Sequence, residues 1–99
     1  MPDGDRLYLG LVTLDLVIPG STSLKEKRRV VRGLKDRLKS RLDVSVAEVA
    51  FQDLHQRAKV AVACVGSDRR AVEKTLRQAL SIAESRDGAE VCDWSLEWR

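Results

Sequence analysis

"LYLGLVTLDLVIPGSTSLKEKRRVV", residues 7–31, changes its period in the middle. From Leu7 to Ile18 nearly every residue is apolar or β-branched, the pattern of a central strand buried on both faces, and Pro19-Gly20 stops it. The spacing then turns helical. Leu24, Val31, Leu34, Leu38 and Leu42 fall within about 60° of one line on a helical wheel. Ser23 with Glu26 three residues later has the form of a capping box, which starts the helix there.

The remaining segments extend this frame. Val44 to Phe51 and Ala58 to Val65 are β-type runs joined by the polar "QDLHQR", which predicts a hairpin. Gly66 ends the second run, and Ser67-Asp68 opens a helix with Val72, Leu76, Ala79 and Ala83 on one stripe. Gly88, closing Arg86-Asp87-Gly88, is placed to end it. In Ala89 to Trp98, Cys92, Trp94, Leu96 and Trp98 alternate with Asp93, Ser95 and Glu97, which predicts a last strand with its aromatic face toward the helices. On that placement Trp94→Ala is expected to cost about 3 to 5 kcal/mol.

The order β-α-β-β-α-β is the split βαβ pattern, giving an α+β, ferredoxin-like fold: a four-stranded antiparallel sheet in the order 4-1-3-2 with both helices on one face. Strands one and three are expected to be central and parallel to one another. The whole chain, residues 1–99, reads as one domain. Its 43% hydrophobic and 33% charged residues exclude disordered and fibrous classes. No apolar run approaches the roughly 18 residues of a membrane span, and the acid-bearing Met1 to Asp5 is unlike a secretory signal, so a cytoplasmic protein is expected. Cys64 and Cys92 stand on strands with strand one between them, roughly 10 Å apart and too far to bridge. Both are expected to be small buried hydrophobes. The absence of Asn and the mixed charges fit a heat-adapted source.

Charge is distributed unevenly. Lys25, Lys27, Arg28, Arg29, Arg32, Lys35, Arg37, Lys39 and Arg41 against Glu26 and Asp36 give the first helix a formal +7, leaving −4 for the rest of a chain of net charge +3. Such asymmetry speaks of partners rather than fold. Lys25, Arg29, Arg32 and Lys39 form one outward stripe, with Lys27 near the middle of the apolar stripe and Arg28 at its margin. Arg70, Lys74 and Arg77 repeat the theme on the second helix. Joined on one side of the sheet, these residues would make a polyanion-binding surface. The alternative for Lys27 and Arg28 is to lay their methylenes on the core. Ser21, Thr22 and Ser23 precede the helix N-terminus, where free N–H groups favour an anion, although Ser23 also serves as a simple cap.

Catalytic patterns are lacking. His55, the single histidine, falls in the hairpin loop near Asp53, and one histidine with scattered acids makes neither a triad nor a metal site. Asp15, inside an apolar strand, belongs on the uncovered sheet face or beside a Lys or Arg. No metal or cofactor is expected.

The segment from Leu7 to Val49, with "SLKEKR" (Ser23 to Arg28) entering the first helix, resembles the YlxP-like family of small bacterial proteins. That resemblance covers nearly the whole chain. It implies a ferredoxin-like fold and, in many bacteria, a gene between those for translation initiation factor two and ribosome-binding factor A; it offers no catalytic residues. Residues and resemblance together lead to an expected non-enzymatic RNA- or ribosome-associated binding protein working through the basic helical face. The rival is a protein-interaction or small-ligand regulatory module acting through the uncovered sheet face. That face carries Leu7, Leu9 and Leu11 beside Ala61 and Ala63, and is expected to pair with a second copy.

Overall fold

The computed structural model describes residues 5–85 and 88–99. Its elements are β1 (Tyr8–Val17), α1 (Leu24–Arg41), β2 (Ser45–Ala50), β3 (Arg57–Gly66), α2 (Arg69–Glu84) and β4 (Glu90–Trp98). The sheet order β2-β3-β1-β4 is the expected ferredoxin-like one. The central strands β1 and β3 pair antiparallel, however, and not parallel. A crossover through α1 returns the chain along β2 in the direction of β1, and the hairpin to β3 then reverses it.

One face of the sheet is covered and the other is not. Val12, Leu14 and Leu16 of β1 and Val60 and Val62 of β3 are buried against Val31, Leu34 and Leu38 of α1 and Val72, Leu76 and Ala79 of α2. Alternation along β1 places Leu9, Leu11 and Thr13 on the opposite face, with Val65, Ala63 and Ala61 of β3 as their respective partners. Helix α2 is capped by Asp68, whose carboxylate accepts from the Arg70 amide, and it ends at Glu84. Arg86 and Asp87 of the expected stop lie outside the described residues, as do Met1 to Gly4; Gly88 takes φ 90°, a conformation that favours glycine. Gly10 makes room of a different kind. A Cβ there would lie 2.5 Å from Leu76 Cδ1 and 3.2 Å from Trp98 Cζ3, so its bare backbone lets α2 and the last tryptophan close on β1.

The last strand departs from the expected alternation. Asp15 faces Asp93 but Leu16 faces Val91, so an extra residue, Cys92, is accommodated between them. The bulge gives the helix side to Val91, Trp94, Leu96 and Trp98. Cys92 is exposed, contrary to expectation, with its Sγ 3.4 Å from the Asp15 carbonyl oxygen, while Cys64 is buried; both thiols are free. Trp94 lies opposite Leu14 on the helix side as expected, yet β4 is an edge strand and the residue is 40% exposed. Trp98 is better held, with Tyr8 edge-on at 6.4 Å and the Arg69 guanidinium 4.6 Å above its ring.

These environments reorder the expected costs of truncation. Leu76→Ala, at a residue with no exposed surface, should cost about 3 kcal/mol, whereas Trp94→Ala should cost about 1 to 2 kcal/mol because much of its area never leaves water. Urea titrations of the two variants check the order, which reverses if Trp94 is a core residue.

Candidate nucleic-acid interface

Helix α1 begins at a cap that serves its own chain. Ser23, in an extended conformation, accepts the Glu26 amide on its Oγ at 3.1 Å. The Glu26 carboxylate in turn accepts the Thr22 amide at 3.0 Å and the Thr22 hydroxyl at 2.9 Å, while the Ser21 hydroxyl donates to the Ser23 carbonyl at 2.9 Å. Thr22's backbone N–H, then its hydroxyl, and to a smaller degree the nearby Arg29 cation hold the Glu26 carboxyl below the usual glutamate range. The anion expected beside Ser21, Thr22 and Ser23 is therefore supplied from within, by Glu26, and these residues leave the candidate site.

Lys27 leaves it as well. The residue has no exposed surface. Its ammonium lies 2.7 Å from Glu48 Oε2 and donates to the carbonyl oxygens of Phe51, at 2.7 Å, and Gln52, at 3.3 Å. Of the three donors of an ammonium, two go to these carbonyls, and the Glu48 carboxylate is held beside it as an ion pair whose Oε2 makes no hydrogen bond. Phe51 adopts φ 63°, unusual for a bulky residue, at the point where its carbonyl turns to Lys27. Glu48 was also legible as an anomaly, being a charged side chain in phase with Val44 and Val46 on the face toward α1.

The other cations of α1 reach water. Lys25, Arg28, Arg29, Arg32 and Lys39 are exposed and Lys35 is half-buried. Their only ion-pair candidates on the helix, Glu26 and Asp36, lie beyond pairing distance, and none of the six makes an ion pair among the described residues. Arg28, Arg32 and Lys35 line a groove of about 180 Å³ with Val31 and Glu48, toward the β2 edge. Lys35, absent from the sequence-derived site, belongs there; its i+3 spacing from Arg32 is the signal that could have found it. Arg70, Lys74 and Arg77 line a separate groove of about 490 Å³ with other α2 side chains. Its described lining contains no α1 residue, so the two basic stripes border different grooves instead of one. Arg77 Nε also donates to Glu73 Oε2 at 3.0 Å, which partly neutralises the α2 stripe.

Reactive groups are dispersed. Among the described residues no three His, Cys, Asp or Glu side chains converge to hold a metal ion. His55 is exposed in the hairpin loop. Burial pushes the Cys64 thiol up, against a smaller opposing effect of Thr75, which disfavours the reactive thiolate. Asp15 sits on the uncovered face 3.7 Å from Arg57.

The model of a family described as "Protein of unknown function (DUF503)" matches residues 9–96. The chain belongs to this family. A relative, the uncharacterized protein YlxP of Bacillus subtilis (strain 168), is 32% identical over 90 residues, covering 91% of this chain and 98% of the relative. Among solved structures, a C-terminal segment of the alpha subunit of aIF2 from Pyrococcus abyssi superposes with a TM-score of 0.50 at 15% identity, over 95% of this chain and 51% of that one. A structural-genomics protein, YJCS, gives a TM-score of 0.44 at 12% identity over 90% of this chain and 96% of its own. The aIF2 likeness shows the fold. No α-helix among the described residues is long and apolar enough to cross a membrane.

Two substitutions test the α1 N-terminus. Lys27→Met should destabilise by about 3 to 5 kcal/mol by stranding Glu48, and Lys27→Met with Glu48→Leu should recover much of that, since replacing a whole buried pair is often neutral. Chemical denaturation of the single and double variants measures both steps. For Glu26, a lowered folded-state pKa means stabilisation present above the ordinary glutamate value and lost as pH falls through the folded-state value. Glu26→Gln should therefore lower the melting temperature at pH 7 and converge on the parent chain at acid pH; an offset independent of pH would contradict this.

Proposed function

We propose that this DUF503 protein is a non-enzymatic RNA-binding protein of the cytoplasm that engages RNA, or a ribosomal particle through its RNA, along the outer flank of α1. The observation that carries this reading is the set of six unpaired cations, Lys25, Arg28, Arg29, Arg32, Lys35 and Lys39, on one flank of one helix. No acid among the described residues forms an ion pair with any member of this row. A row of phosphates satisfies it at the spacing a helix provides, and counterion release supplies the driving force. The sheet offers no competing platform, because the uncovered face of β1 and β3 presents Leu9, Leu11, Thr13, Ala61 and Ala63 where stacking RNA-recognition sheets present aromatics. The gene neighbourhood implied by the YlxP-like resemblance points the same way.

The test is a salt titration. With about five phosphates engaged, log K for single-stranded RNA should fall against log salt with a slope near −3.5, at roughly 0.7 per contact. Lys25→Glu, Arg29→Glu and Arg32→Glu together should abolish both RNA retention and co-sedimentation with ribosomes while leaving the circular dichroism unchanged. Arg70→Glu with Lys74→Glu should weaken binding less. Unaltered co-sedimentation of the α1 triple variant would sink the proposal, and salt-insensitive binding would favour a partner held on the sheet.

A further inference from the structure

The uncovered sheet face is divided along the strands. At one end Leu9 is 38% and Val65 62% exposed, directly opposite one another, with Leu11 and Ala63 next in register. At the other end Asp15 stands opposite Lys59. Between them lie Thr13 and Ala61, short side chains that permit a second sheet to approach to about 10 Å. The acid is poorly satisfied within its own chain, since Asp15 Oδ1 is out of water without a hydrogen bond and Arg57 lies 3.7 Å away. The Arg57 guanidinium and Lys59 ammonium instead lean over the Phe51 ring, at 4.8 and 5.7 Å.

We infer that this face binds a second copy of the chain, through a two-fold axis running along the seam between β1 and β3. Rotation about that axis stacks β1 of each protomer on β3 of the other. Leu9 then meets Val65 and Leu11 meets Ala63 across the interface, twice each. Asp15 meets Lys59, also twice, so each acid gains a second cation. A two-fold axis across the strands would set Leu11 against Asp15 and desolvate the carboxylate on an apolar side chain; charge complementarity selects the seam axis. The resulting particle has four layers, helices outside and sheets within, and carries an α1 flank on each outer surface. It buries the contiguous apolar strip that a soluble domain seldom leaves in water.

Equilibrium sedimentation of the full chain at micromolar concentration should give twice the chain mass. Leu9→Lys and, separately, Val65→Lys should each raise the dissociation constant at least about tenfold with unchanged circular dichroism. The seam axis is tested by mixing. Asp15→Lys alone sets cation against cation, and Lys59→Asp alone sets acid against acid, so each variant should be monomeric. Their equimolar mixture should regain the dimer, because every 15–59 contact in the heterodimer joins opposite charges. A particle of single-chain mass for the parent protein overturns the proposal. So does a dimer that survives both lysine substitutions, or a mixture no more associated than its separate components.

Discussion

An ammonium group without contact to water constrains this structure more than any other single group. Lys27 lies in the first turn of α1, and its three oxygen partners come from Glu48, Phe51 and Gln52, which lie 21 to 25 positions later. A charge of this kind cannot be left half-satisfied, because an unpaired buried ion costs several kcal/mol. The start of α1, the end of β2 and the first residues of the hairpin loop must therefore arrive together. Phe51's left-handed backbone is a local cost accepted for that meeting. The same loop is tied from its other end by the Gln56 side chain, which donates to the carbonyl oxygens of Pro19 at 3.3 Å and Ser21 at 3.1 Å. The β1–α1 turn and the β2–β3 loop thus form one hydrogen-bonded end of the molecule.

That arrangement also separates two uses of positive charge. Lys27 spends its charge inside, where it fixes geometry. Its neighbours Lys25, Arg28 and Arg29 stand on the other side of the same turn and keep theirs in solvent. The helix tolerates the density of like charge because Lys39 and Arg41 lie in its last turn, where cations complement the dipole, and Glu26 occupies the first. Glu26, which accepts from Thr22, sets a negative charge of the chain's own beside the helix N-terminus, and the flank of α1 is the surface where its cations make no ion pair among the described residues.

The sheet is asymmetric in a way that follows from having two helices and two faces. Even-numbered residues of β1 and β3 receive the helices; odd-numbered residues receive no helix from this chain. A polar outer face would have been an ordinary solution for an antiparallel sheet. Here the outer face grades from leucine and valine to aspartate and lysine, and that gradient is what makes it complementary to itself. RNA on the helical side and a second protomer on the sheet side would use opposite surfaces without competing.

Much of this was legible locally. The apolar run of residues 7–18, the change to helical spacing after Pro19-Gly20, the Ser23 cap with Glu26, the hairpin around "QDLHQR" and the second stripe from Val72 to Ala83 depend on residues within one or two turns of each other, so sequence alone determined the element order and the apolar stripes of both helices. That β1 is covered on one face, and not on both as its apolar run predicts, was decided by the layers packed against it. What tertiary structure decided were matters of partners far apart along the chain. Lys27, on the apolar stripe, looks like a cation that either lies along the core to its rim or points at a bound anion, until Glu48 and two carbonyls close on it. Cys92 and Trp94 look buried until a bulge and an edge position expose them. The basic stripes look continuous until each proves to border its own groove. Periodicity reports which side of an element faces inward, whereas burial, pairing and register at a given side chain depend on what the rest of the chain places against it.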